Sequence, residues 1–197
     1  MIRWPGASAR LAGRRVVLEP LRDAHAGELW AAAQDPRIWQ WLPWNAAASP
    51  AAFGAWFGQA ADAARLGEEA PFAVLADGRV VGSTRYLSFA REHLRLEIGA
   101  TWYAPEAWGT GVNAEAKLLL LRHAFETLGA RRAEFKTDAR NERSRGALLA
   151  LGAQFEGVFR KHMVLPDGGA RDSAYFAIVD DEWPAGRARL EERLSAY

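Results

Sequence analysis

In His93-Leu-Arg-Leu-Glu-Ile-Gly-Ala-Thr-Trp-Tyr103-Ala-Pro-Glu-Ala-Trp108-Gly109-Thr-Gly111-Val-Asn113 an alternating stretch runs into a glycine-containing loop. Its even positions Leu94, Leu96, Ile98, Ala100 and Trp102 are apolar, and the odd ones include His93, Arg95, Glu97, Thr101 and Tyr103. Period-two alternation of this kind marks a half-buried strand. The parity puts Glu97 and Thr101 on the face opposite the apolar stripe. Pro105 follows the strand, and Gly109-Thr-Gly111 leads into Val112–Leu128, where Leu118, Leu121, Phe125 and Leu128 recur at helical spacing before Gly129. Glycines ahead of a helix let backbone amides approach a ligand, and the helix N-terminus favours an anion. Pyrophosphate is the natural guest, although a plain strand-to-helix turn reads the same way.

Outward from this segment, Phe72–Ala76, Asp77-Gly78 and Arg79–Phe89 read as a hairpin, because Asp-Gly supplies the positive φ angles of a tight turn. His93–Tyr103 is then the third strand of a meander. Upstream, Arg15–Pro20 is a short strand closed by proline. Asp23 is an N-cap candidate for a helix to about Gln34, an aromatic irregular segment spans Arg37–Trp44, and Ser49-Pro50 opens a helix carrying Phe53, Trp56 and Phe57. Downstream, Arg132–Thr137 is a strand, Asn141 caps a helix to Leu151, and Phe155–Leu165 with Ala170–Val179 forms a hairpin around Pro166–Gly169. The order β-α-α-β-β-β-α-β-α-β-β predicts an α+β fold with helices packed on a mixed sheet. It divides the chain into an arm (1–14), a domain (15–185) and a helical tail (186–197).

The length, 197 residues, fits one domain, and a composition half hydrophobic and a quarter charged excludes disorder as the main state. Lys and Arg number 25 against 24 Asp and Glu, so the chain lacks the positive excess of a duplex-binding domain. It contains no cysteine, which excludes disulfides, thiolate metal sites and cysteine nucleophiles. No run has the length of a membrane-spanning helix, and Met-Ile-Arg-Trp-Pro is no secretory leader. The expectation is a soluble cytoplasmic protein without nucleic-acid or membrane partners. His25, His93, His123 and His162 show no ligand spacing, so no metal site is expected. Gly109–Ala114 formally matches a dinucleotide fingerprint, with Glu134 near the ribose-binding interval, but it follows a meander instead of opening a parallel βαβ unit. The P-loop pattern fails, for lack of Gly-Lys-Ser/Thr.

Five segments, in this element order, resemble the GNAT superfamily of acetyl-CoA-dependent N-acetyltransferases: Leu18–Leu21, Leu96–Gly99, Trp108–Phe125, Phe135–Ala153 and Glu156–Gly168. Within it, the chain looks like the RimJ/RimL-type group that includes ribosomal-protein N-acetyltransferases. The resemblance covers about residues 14–185. It implies a three-layer α/β/α fold around a mixed, mostly antiparallel, splayed sheet, with acetyl-CoA as co-substrate and no metal. The family's phosphate motif is [Gln/Arg]-x-x-Gly-x-[Gly/Ala]; here Trp108 stands in the basic position and Asn113 in the last, with Gly111 retained. Many members carry a tyrosine four residues after the position of Ser144, as acid for the departing thiolate. This chain has Leu148 there, which cannot do that chemistry.

The resemblance gives the strand backbone near Trp102 and Tyr103 to the pantetheine arm, and Trp108, Gly109, Thr110, Gly111, Val112 and Asn113 to the pyrophosphate. Asn141 is a helix cap, a pantetheine contact, or both. Arg143, with Arg140 and Arg145, reaches for the 3′-phosphate or forms a solvated face. Glu97 is the candidate general base, acting through water, or a solvated strand residue. Ser144 stabilises the thiolate at a helix N-terminus, or only caps that helix. Trp39, Trp41 and Trp44 wall the acceptor pocket, anchor a loop to the core, or meet a second copy in a homodimer. The expected reaction is direct acetyl transfer to a primary amine, first a protein N-terminal amine and second a small-molecule amine. A catalytically dead acyl-CoA-binding module is the alternative from another class, and a nicotinamide enzyme a distant third.

Overall fold

Turn chemistry and alternation produce most of the sheet. Asp77 and Gly78 take φ of 49° and 81° and join two strands, Ala70–Ala76 (β3) and Arg79–Ala90 (β4). The other strands are Leu11–Ala12 (β1), Val16–Pro20 (β2), Arg95–Tyr103 (β5), Arg132–Asp138 (β6), Gln154–Val164 (β7) and Ala170–Val179 (β8). In this computed structural model, which describes residues 9–165 and 167–195, they form one sheet in the order β1-β2-β3-β4-β5-β6-β8-β7. Pro166 of the expected last turn lies outside the described residues, as do residues 1–8 of the expected arm and 196–197 of the expected tail. Among the described residues β5 and β6 alone pair in parallel.

The helices are Ala26–Ala32 (α1), Pro50–Leu66 (α2), Val112–Arg122 (α3), Glu142–Ala150 (α4) and Trp183–Leu194 (α5). One core packs α3, α4 and α5 onto Leu96, Ile98, Tyr86, Phe135 and Phe176. A second, on the opposite face, joins Leu29, Phe53 and Trp56 of α1 and α2 to Ala73, Val80 and Trp102. These are the three layers of an α+β fold with a mixed, mostly antiparallel sheet. Ser49 Oγ accepts the Ala52 N–H at 3.1 Å with Pro50 in the first turn, as its sequence predicts.

Three expectations need correction. Asp23 is not the cap of the first helix: it opens a 3-10 turn, and His25 Nδ1 accepts the Arg22 N–H at 3.2 Å instead. Within the expected arm Leu11–Ala12 pair with β2, and within the expected tail Leu190 of α5 is buried to 1% exposure. The long helix is α-helical only to Arg122; His123–Thr127 continue it as a π turn, just where the Tyr86 hydroxyl donates to Leu120 O at 2.6 Å. The alternation of β5 also breaks. Ser83 pairs with Trp102 but Arg85 with Gly99, so two steps along β4 match three along β5, and Ala100 takes a φ of 48°. This β-bulge rotates the rest of the strand. Glu97 stays on the face opposite Leu96 and Ile98, while Thr101 turns toward α3 and Trp102 joins the second core.

Candidate active site

The parallel ladder of β5 and β6 covers only Arg95–Arg132, Leu96–Ala133 and Glu97–Glu134. Beyond Glu97, with the bulge at Ala100 bending β5, the two strands part. A cleft of about 370 Å³ opens between them, floored by Ile98–Tyr103 and Phe135–Thr137 and roofed by the Trp108–Gly111 loop and α4. The splayed sheet that the resemblance implied is therefore present, and the backbone of β5 that faces the gap has no strand partner on that side.

At the mouth, Gly109 and Gly111 take φ of 77° and 87°, conformations that glycine adopts without strain. Gly111 is the N-cap of α3, and among the described residues no side chain caps that end. Trp108 donates Nε1–H to Tyr103 O at 2.9 Å, which pins the loop to the end of β5. The Arg143 guanidinium lies 4.0 Å from the centre of the Trp108 ring. A basic group thus reaches the loop from α4, although the motif's own basic position holds tryptophan. Thr110 Oγ1 is occupied by Ala107 O at 2.8 Å, and Val112 is packed into the core, so these two offer only backbone. Trp102, Tyr103, Gly109, Gly111, Asn113, Asn141 and Arg143 all line the cleft. The Trp102 Nε1 and Tyr103 hydroxyl are buried without partners among the described residues, and burial pushes the Tyr103 phenol up. Free helix amides, an unpaired strand edge and a basic wall fit a long anionic arm such as that of acetyl-CoA.

Asn141 Oδ1 accepts the Ser144 N–H at 3.0 Å, so its cap role is present and its amide NH₂ is left over. The Ser144 hydroxyl faces the cleft beside Leu148 and has no protein partner among the described residues. Arg140 is held away by Asp138, at 3.0 and 2.9 Å, and lies 5.4 Å from the Trp41 ring centre. Arg145 donates to Ala139 O at 3.0 Å. Of the three arginines only Arg143 lines the cleft. Trp41 lines it too. Trp39 does not: it is buried in the second core with Nε1–H donated to Ala33 O at 2.9 Å, and Trp44 packs against the same core.

Glu97 is not a solvated strand residue. It is 3% exposed, and Oε2 accepts from Lys136 Nζ at 3.1 Å and Ser88 Oγ at 3.3 Å. It sits on the last paired rung before β5 and β6 part and does not itself line the cleft; its partner Lys136 does. Sequence reasoning missed four basic cleft residues, Lys117, Lys136, Arg171 and Arg193. Lys117 of α3 donates from Nζ to Thr101 Oγ1 at 2.8 Å, and burial pushes its pKa down to about 7, with Glu97 opposing the shift. A lysine among the leucines and alanines of α3 was the signal for Lys117. Arg171 of β8 arrives through tertiary packing and had none. Among the described residues no cluster of His, Asp and Glu could hold a metal ion, and no helix is long and apolar enough to cross a membrane.

Residues 15–154 match the acetyltransferase (GNAT) domain family. A GCN5-related N-acetyltransferase from Brucella melitensis has a similar structure, with a TM-score of 0.89 and 31% identity over 97% of this chain and 87% of that one. RimJ from Mycobacterium smegmatis, solved with CoA-disulfide, shares the fold at a TM-score of 0.82 and 24% identity, over 94% and 95% of the two chains. The uncharacterized N-acetyltransferase YoaA of Bacillus subtilis (strain 168) is 32% identical over 100 residues; the match spans 51% of this chain and only 55% of that relative. Since the family match runs from the second strand through the helix that roofs the cleft, and the Brucella relative aligns over nearly the whole length, the chain belongs to the GNAT acetyltransferase family.

Proposed function

We propose that the chain moves an acetyl group from acetyl-CoA directly to a primary amine in the cytoplasm, with a protein N-terminal amine as the first acceptor class. The observation that carries this reading is the parting of β5 and β6 with a buried carboxylate on the last paired rung before it. Acetyl-CoA supplies the thioester whose acyl group is moved. The α3 amides behind Gly109 and Gly111, with Arg143 above Trp108, hold the pyrophosphate, and the unpaired edge of β5 holds the pantetheine amides. Glu97 takes the proton of the attacking amine through water. The N-terminal turn of α4, with the Ser144 hydroxyl, stabilises charge on the departing sulfur. The RimJ/RimL-type resemblance supports a protein N-terminus over a small amine. Leu148, which removes the common proton donor, favours an acyl-CoA-binding module as the second reading.

Two measurements test this. Thiol release from acetyl-CoA with a panel of peptides and small amines separates enzyme from binder, and silence with every amine rejects the transfer reading. Valine at Gly109 or Gly111 would strain a positive-φ position, so the cofactor seat is better probed by charge. Asn113→Asp in the first turn of α3 is favourable to the helix but repels a phosphate. Acetyl-CoA affinity measured by calorimetry should fall about tenfold or more, with thermal stability unchanged or raised. Unchanged affinity would move the pyrophosphate elsewhere.

A further inference from the structure

The cleft wall carries Lys117, Lys136, Arg143, Arg171 and Arg193, and no acidic side chain lines it among the described residues. Three of these basic groups have an assigned partner, and Arg193 is exposed and donates to Ala150 O at 3.4 Å. Arg143 lies on Trp108 above the glycine loop, Lys136 is paired with Glu97, and Lys117 is bonded to Thr101 on the α3 side of the sheet. Arg171 is different. It is 5% exposed and, like Lys117, makes no ion pair among the described residues, but unlike a lysine it cannot shed its charge. Its Nη1 donates to Trp41 O at 3.3 Å, and its Nε is buried with no partner among the described residues.

A guanidinium stays charged inside proteins, and a buried cation without a counter-charge is costly. Burial draws the Arg171 pKa below its ordinary value, while Asp138 and then Glu97 draw it up. Neither carboxylate closes the deficit. Both oxygens of Asp138 are taken by Arg140, and Glu97 Oε2 by Lys136 and Ser88. The neighbouring Asp172 accepts the Lys161 N–H. Position matters as well. Tyr175 pairs with Lys136 across β6 and β8, and Arg171 shares the parity of Tyr175. Arg171 therefore lies on the face of the sheet that carries Glu97 and Lys136, under the Trp41 segment, and away from α3.

We propose that Arg171 binds a carboxylate of the acceptor, so that the amine acetylated belongs to a molecule with a carboxylate close to that amine. A guanidinium presents paired N–H donors that match a carboxylate's two oxygens, and Arg171 has its Nε and further N–H groups uncommitted. The chemistry is shared by a free amino acid and by a peptide with an acidic residue near its N-terminus. The inference rests on the cleft being an acetyl-transfer site and names the acceptor chemistry within it.

The test uses product-like probes, N-acetylglycine and its uncharged amide N-acetylglycinamide, titrated into the full chain and followed by tryptophan fluorescence. The wild type should bind the carboxylate about tenfold or more tighter than the amide, as one charge-assisted hydrogen-bonded pair provides. Arg171→Gln should abolish that preference, and Arg171→Lys, which keeps the charge and not the fork, should reduce it. Acetyl-CoA affinity should hold within about twofold in both. Equal binding of the two probes by the wild type overturns the proposal even if neither variant folds. A loss of acetyl-CoA affinity matching the loss of carboxylate preference also overturns it, because the guanidinium would then serve the cofactor. A turnover arm with glutamate, Ala-Glu-amide and Ala-Gln-amide separates the two sources of carboxylate. Carboxylate preference without thiol release from any amine would sink the transfer reading while leaving the Arg171 site standing.

Discussion

Glu97 serves as ion-pair partner and candidate base at once, so its removal has to be read in two channels. Lys136 holds it at 3.1 Å, and breaking such a buried pair destabilises the fold as well as removing a proton acceptor. Glu97→Gln should lower turnover about 100-fold while leaving acetyl-CoA affinity nearly unchanged. Lys136→Met on top of it should restore thermal stability without restoring rate. If the double variant recovers rate along with stability, Glu97 is only a structural partner. Ser144 poses the simpler question. A thiol with a pKa near 8.5 leaves without much help, and the α4 amides survive any side-chain change, so Ser144→Ala should slow thiol release by roughly 10- to 100-fold without abolishing it. Leu148→Tyr added to that variant should recover part of the loss. Wild-type rates from Ser144→Ala, where chemistry limits turnover, would reduce the serine to a first-turn residue capped by Asn141.

Within α3 two charged residues are buried against the pattern that made the helix legible, Glu115 and Lys117. Lys117 lies three residues after Ala114 and four before Leu121, on the stripe that meets the sheet, and is 5% exposed. Its pKa in the folded chain is about 7, below the ordinary 10.5, chiefly because burial penalises the ammonium. Below about pH 7 both folded and unfolded chains hold this proton, and the cost of burying the charge is fully present. Between about 7 and 10.5 the unfolded chain binds more protons, so stability rises with pH across that window. Lys117→Met should therefore exceed the wild type in urea resistance at pH 6, and the gap should narrow by pH 9. A gap independent of pH would mean that the variant acts through packing alone. The same element shows where sequence reading ends. The glycine loop, the Asp77-Gly78 turn and the Asn141 and Ser49 caps were legible because each follows from local chemistry. The bulge at Ala100 was not, since alanine carries no signal for a φ of 48°; it is imposed by pairing with β4. The π turn after Arg122 coincides with a hydrogen bond from Tyr86, far away in sequence, and the turn before α1 is held by the His25 imidazole where the expectation was an aspartate cap. Arg171 was invisible for the same reason, because only the β6–β8 register brings it beside Trp41.

The sheet divides the molecule into two approaches that meet at one gap. The N-termini of α3 and α4, with the glycine loop and Arg143, lie on the face of Leu96 and Phe135. Glu97, Lys136 and Arg171 lie on the other face, with Trp41 beside them. A donor held from the first side and an acceptor from the second can be in contact only where β5 and β6 have parted. Two substrates so placed react without passing the acyl group through the protein, and the absence of cysteine removes the commonest nucleophile for such a relay. Initial rates measured over a grid of acetyl-CoA and amine concentrations should therefore give intersecting double-reciprocal lines, the mark of a ternary complex. Intact-mass measurement after incubation with acetyl-CoA alone should find no acetylated protein. Parallel lines, together with an acetyl-enzyme that transfers its group when amine is added, would instead require a nucleophile in the cleft. Lys117 is then the side chain to examine, since a lysine with a pKa of about 7 is partly uncharged at neutral pH. Its conversion to methionine would have to abolish the labelled species; labelling that survives in Lys117→Met would place the nucleophile elsewhere and leave Lys117 as a buried charge that only tunes stability.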